Sequence, residues 1–199
     1  NKDVEDGATL LSIGGRKYQY VKKVQDVNSN KFQSIAFHFN SSLGDSNVCL
    51  IDTPGVNNIE QPEHGRKTME AIASGNYDAL LFVSNAKYFG TNDDYQLLKQ
   101  IAKTPRVKLI FVLNKLDAFK QKEDSIKEML DNYKNDLTKM GFIRPMVVPV
   151  SSLTALLLKN ESRLDEESLD ELASMKKRFS KEYYDLPSYI NGTKSCSMI

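Results

Sequence analysis

Four short apolar runs, at 48–51, 79–83, 107–113 and 146–150, alternate with stretches of helical spacing, and this alternation constrains the fold more than any other feature. Such apolar runs, interrupted only by Lys108 near the start of the third, are expected of strands covered on both faces. Between them, Met69, Ile72 and Ala73 share one helical face, and Tyr95, Leu98, Ile101 and Ala102 share another behind Thr91 or Asn92 as a cap. Over 124–140, Ile126, Met129, Leu130, Tyr133 and Leu137 line a third. Strands alternating with helices imply right-handed crossovers, so the expected fold is α/β, with a mostly parallel sheet as the middle of three layers, flanked by helices.

The two ends read differently. Residues 9–13 and 18–21 form an expected antiparallel hairpin across Gly14-Gly15, because glycine supplies the positive φ of a tight turn. Ile35, Phe37 and Phe39 then alternate with polar or small residues as in a half-buried strand. Residues 153–158 are a further, largely apolar segment, and a second, 164–184, reads as an amphipathic helix. The second begins acidic (Asp165, Glu166, Glu167) and ends basic (Lys176, Lys177, Arg178), both favourable to the helix dipole. Its Leu169, Leu172, Met175 or Lys176, Phe179 and Tyr183 make a stripe that packs on the sheet or leads into a neighbouring domain.

With 199 residues, 40% of them hydrophobic, the chain can bury one core, and the expected division is a domain at 1–184 with a tail at 185–199. Its 27 basic and 26 acidic side chains leave a net charge of +1, which offers no field for nucleic acid, so no nucleic-acid partner is expected. Cys49, inside an apolar run and expected to be buried, and Cys196 suggest no disulfide framework, which fits a reducing cytoplasm. No run approaches the ~20 apolar residues of a spanning helix. His38 and His64 stand apart from any cluster with metal-ligand spacing, and Cys196-Ser197-Met198-Ile199 is a poor match to a prenylated end.

Three of the runs end in polar motifs, where open α/β sheets place ligands. The first gives Asp52-Thr53-Pro54-Gly55: an aspartate at a strand end can hold magnesium or its water, and a glycine lets its N–H approach a phosphate. A plain turn is the alternative. The second gives Asn114-Lys115-Leu116-Asp117, whose carboxylate can accept two hydrogen bonds from guanine, from its ring N–H and its exocyclic amine, while the asparagine braces the loop and the lysine stem covers the base. A polar turn capping the next helix with Asp117 would look similar. The third, Ser151-Ser152, reads alone as a helix cap. Asp52, Asn114 and Ser151 stand 62 and then 37 positions apart, room in each gap for strand and helix units.

In that order and spacing, residues 48–152 resemble the Ras-like, translation-factor-related P-loop GTPases. Asp52 to Gly55 would be the magnesium and switch motif, Asn114 to Asp117 the guanine-specificity motif, and Ser151-Ser152 the last base-contact loop. The D-T-P-G form, the Val56-Asn57-Asn58 continuation, the 77–83 strand and the early hairpin are most similar to dynamin-like GTPases, particularly bacterial ones. That resemblance implies GTP as substrate with magnesium as cofactor, and self-association through the G domain. It also implies membrane remodelling, with the protein cytoplasmic or peripheral at a membrane that it contacts through regions outside this sequence. Val56 stands where many Ras-like members carry a water-positioning glutamine; in the resembled group the attacking water is organised near the phosphate loop.

The phosphate loop G-x-x-x-x-G-K-[ST] has no match in the 199 residues; Gly192-Thr193-Lys194-Ser195 fails on spacing. The switch I threonine is also unassigned, Thr9 reading better as a strand residue. The expected reading is a G domain incomplete at its N-terminus and inactive by itself. A non-catalytic pseudo-GTPase used as an interaction module is the rival, and a ribosome-assembly GTPase is a third reading that the near-neutral charge does not favour.

Overall fold

The computed structural model describes residues 7–12, 18–21, 32–38, 48, 50–53, 62–103 and 108–190. The turn at Gly14-Gly15, Phe39, Cys49, Gly55 with Val56-Asn57-Asn58, and the segment from Asn191 that holds Cys196 lie outside them. The chain divides into two compact units, Asn1–Asp52 and Thr53–Ile199, and each is described by itself.

The first unit is an antiparallel sheet of β1 (Gly7–Ser12), β2 (Tyr18–Val21) and β3 (Phe32–His38) in the order β2-β1-β3. Leu10 stands opposite Gln19 on one side and Ile35 on the other, so the expected hairpin forms and gains a third strand. The apolar run at 48–51 does not form its expected strand: Val48, Leu50 and Ile51 lie outside any strand and are exposed. An apolar run records a tendency to burial, whereas a parallel strand also needs a neighbouring edge for its backbone N–H and C=O groups. No described strand pairs with this run.

The second unit follows the expected α/β alternation. Helix α1 (Pro62–Ser74) leads to β4 (Leu80–Asn85), α2 (Asn92–Ile101), β5 (Leu109–Asn114), α3 (Ile126–Lys139), β6 (Met146–Pro149), α4 (Ser152–Lys159) and α5 (Glu166–Phe179). The strands form a parallel sheet in the order β4-β5-β6. Pro149 sits in β6, an edge strand of this sheet, where its missing N–H is tolerated. The pairing lines up Phe82, Phe111 and Val147 across one face, all buried, with Ser84, Leu113 and Pro149 in the next row. Tyr133 of α3 stacks edge-on against Phe111, with Ile126, Leu130 and Leu137 buried beside it. The opposite face is more open than its apolar sequence implies: Leu81 and Val83 of β4 are 51% and 60% exposed. Continuous apolarity marked both faces for burial, and among the described residues one of them is covered.

Caps set the helix starts. Thr91 and Asp94 form a reciprocal capping box before α2, and Ser125 caps α3. On α1 the buried positions are Thr68 and Ile72, while Ala73, expected on that face, is exposed. On α5 Leu172 and Met175 are buried against Leu157 of α4, whereas Leu169 is exposed. The stretch from 185 begins as a 3-10 turn, Leu186–Tyr189, whose Leu186 and Tyr189 pack against the core. Among the described residues no helix is long and apolar enough to cross a membrane.

Candidate functional site

The carboxyl ends of β5 and β6 are neighbours because their strands pair, so the loops that follow them meet. Asn114 is the last residue of β5, and its Oδ1 accepts from two backbone N–H groups: Lys115 at 2.8 Å and Ser152 at 3.0 Å. One amide side chain thus ties the two loops together. Leu116, fully buried, donates its N–H to the Val150 carbonyl at 3.2 Å, and Val150 donates to Leu113 at 2.8 Å. Lys115 between them takes a left-handed conformation with φ 69°, which costs a residue with a Cβ roughly 1–2 kcal/mol. The anchors on either side hold it there.

Asp117 follows in the 3-10 turn Leu116–Ala118, half-buried. Ser151 donates its hydroxyl proton to Asp117 Oδ1 at 2.5 Å. The same Ser151 oxygen accepts the Thr154 N–H at 3.3 Å, capping α4. This serine therefore caps a helix and binds the Asp117 carboxylate at the same time. Asp117, by contrast, caps no helix, since α3 starts behind Ser125.

Behind these residues lies a layer without a local sequence signal. The Thr154 hydroxyl lies 2.7 Å from Ser151 Oγ and 3.1 Å from the Met175 sulfur. It has one proton, and oxygen is the better acceptor. Arg178 of α5, 61 residues away in sequence, donates its guanidinium to the Asp117 carbonyl. Tyr184 donates its hydroxyl to the Phe119 carbonyl at 2.7 Å, and Tyr183 to Asp124 at 2.8 Å. Burial is the first cause that pushes the Tyr183 phenol up to about 12. Asp124 is held below the usual carboxylate range, first by the Lys120 N–H at 2.7 Å and then by Lys87, whose ammonium lies 3.2 Å away. The C-terminal end of α5 and the turn after it thus clamp the whole 117–124 loop.

Of the expected site residues, the structure brings together Asn114, Lys115, Asp117, Ser151 and Ser152. Asp52 is exposed and belongs to the first unit, and Gly55 lies outside the described residues. No group of three or more His, Cys, Asp or Glu side chains among the described residues could hold a metal. A magnesium ion that keeps its waters, takes phosphate oxygens and borrows a single carboxylate needs no such group.

The sequence pattern of the dynamin family matches residues 9–116, more than half of the chain. The chain belongs to the dynamin family. The match runs from β1 to Leu116, so it takes in Asp52, Gly55, Asn114 and Lys115 and stops one residue short of Asp117. No curated protein compared with the chain matches it. An α/β unit with a parallel sheet flanked by helices is what a dynamin-family G domain, a P-loop GTPase, requires, and the two joined loops lie at the carboxyl ends of its strands.

Proposed function

We propose that the joined loops at Asn114–Asp117 and Ser151-Ser152 read the guanine base of GTP for a dynamin-like GTPase. The observation that carries this is the Ser151 bond to one oxygen of Asp117, which turns the carboxylate and leaves its other oxygen without a partner among the described residues. A carboxylate has about four lone-pair sites, so Asp117 can still accept the ring N–H and the exocyclic amine of guanine. Adenine offers no such pair of donors. In this reading Asn114 fixes the loop, Lys115 lays its stem over the base, and Ser152 presents backbone at its edge.

Asp52 would hold magnesium or its water, with the Gly55 N–H near the terminal phosphate; the ion neutralises phosphate charge when bound. GTP hydrolysis would be coupled to self-association through the G domain and to remodelling of a membrane. Membership of the dynamin family supports that coupling. A second reading is a non-catalytic interaction module, which the absence of a G-x-x-x-x-G-K-[ST] motif from these 199 residues permits.

The test is Asp117→Asn in the full-length protein. Asparagine presents a donor where guanine also presents one, and xanthine carries an acceptor there, so preference should move from GTP to xanthosine triphosphate. Unchanged GTP preference would remove the assignment. Tight guanine binding with no turnover in the unmutated protein would select the second reading.

A further inference from the structure

Helix α5 sorts its charges by sign along its length. Glu166, Glu167, Asp170 and Glu171 fill its first half, and Lys176, Lys177 and Arg178 its last turn, with Lys181 just beyond. Lys176 is taken by Glu161 at 2.6 Å, and Arg178 by the Asp117 carbonyl. The four acids, Lys177 and Lys181 are exposed, and none forms an ion pair among the described residues.

The helix alone does not account for this order. The dipole rewards acids in the first turn and bases in the last, but Asp170 and Glu171 lie beyond the first turn. Glu166 with Asp170 and Glu167 with Glu171 put like charges four residues apart, a destabilising arrangement. The basic end opens on a groove of about 430 Å³, lined by Lys120, Lys122, Lys177 and Lys181 beside Ser174 and Tyr184. The acid in its lining, Glu123, already faces Lys120 at 3.4 Å.

The spacing is symmetric about Ser174. Glu171 and Lys177 each stand three residues from it, and Glu167 and Lys181 each seven. Offsets of three and seven keep Glu167, Glu171, Ser174 and Lys177 on one helical face; Lys181 lies two residues past the helix end in extended backbone and lines the same groove as Ser174 and Lys177. Ser174 and its neighbour Ala173 are small and exposed, so another helix can approach closely at this point.

We propose that α5 is a self-docking surface. A second copy of the chain lays its own α5 antiparallel about a two-fold axis at Ser174, so that Glu167 of each copy faces Lys181 of the other and Glu171 faces Lys177. Such an interface is isologous and closes at two copies. It needs no nucleotide, which separates it from the self-association proposed above.

Sedimentation of the full-length protein without nucleotide tests it. A dimer is expected at low ionic strength, with its dissociation constant rising about tenfold or more towards molar salt, where the Debye length falls to ~3 Å. The double variant Lys177→Glu with Lys181→Glu should be monomeric, and so should Glu167→Lys with Glu171→Lys. Mixing the two should restore a dimer, because every facing pair is then opposite in sign; a merely structural role for these residues predicts no such rescue. A monomeric parent at low salt, variants that associate like the parent, or a mixture that stays monomeric would each overturn the proposal. Association that appears only with GTP and ignores these variants would leave the G-domain reading standing and remove this one.

Discussion

Lys115 is a residue whose backbone conformation and proposed role make different demands. Its φ of 69° suits glycine, yet the proposed stem over the base requires a long side chain. Lys115→Gly should therefore raise the thermal midpoint, by relief of roughly 1 kcal/mol, while weakening GTP binding; calorimetric melting and nucleotide titration read the two effects separately. Ser151→Ala should act in one direction on both. Losing the cap of α4 costs about 1 kcal/mol, and Asp117 loses the bond that turns it, so GTP affinity should fall about tenfold. Equal affinity in Ser151→Ala would mean that Asp117 is oriented by something else. Asn114, Lys115 and Asp117 were legible as a contiguous motif with a chemical meaning. Thr154, Met175 and Arg178 were not, because each acts through a contact made across elements and an isolated threonine, methionine or arginine carries no pattern.

Tyr133 shows what periodicity can and cannot say about an element. Its place on the buried face of α3 follows from the spacing of its apolar neighbours, but the fate of its hydroxyl does not. That hydroxyl is buried with no hydrogen bond of ordinary geometry among the described residues, the Ser84 hydroxyl being a weak neighbour, and it lies beside a cavity of about 10 Å³, room for about one water. Burial pushes the phenol up to about 12, with the nearby Ser84 hydroxyl opposing in part. A group whose pKa rises on folding contributes stability that is complete below its unfolded value, near 10, and lost as the pH climbs through the folded one. Unfolding should therefore grow steeply between about pH 10 and 12, with Tyr183 titrating in the same window. Tyr133→Phe should be neutral or slightly stabilising at neutral pH and should blunt the alkaline loss, as read by phenolate absorbance alongside circular dichroism. A loss of several kcal/mol at neutral pH would mean that the hydroxyl has a partner after all. In β4 the apolar run predicted the strand, yet one face of it is open because burial depends on what lies over it.

At the scale of the molecule, the residues proposed to read guanine and to hold magnesium are far apart in the chain. Asp52→Ala in the full-length protein should abolish the tightening of GTP binding by magnesium and leave the melting temperature unchanged, since Asp52 is exposed and outside any strand. Equal GTP affinity with and without magnesium in the unmutated protein would remove this role. The 199 residues by themselves carry no phosphate loop, whose hydrogen bonds to charged oxygens contribute roughly 1.5–3 kcal/mol each. Base contacts alone should leave binding at about millimolar strength, near 4 kcal/mol, with no turnover above background. Isothermal titration giving a micromolar constant for this chain would show that other residues supply the phosphate grip.

The alternation of apolar runs and helical stripes determined the α/β unit, and the polar residues at the ends of β5 and β6 marked its candidate site, because periodicity and strand-end motifs are local and survive in one dimension. What only the tertiary structure decided was the joining of the two loops by Asn114, the turning of Asp117 by Ser151, and the clamp from α5. These depend on which strands pair and in what register, and a register is a property of two segments together. The run at 48–51 marks the same boundary from the other side: its apolar composition was plain, but a strand exists only where a partner edge meets it.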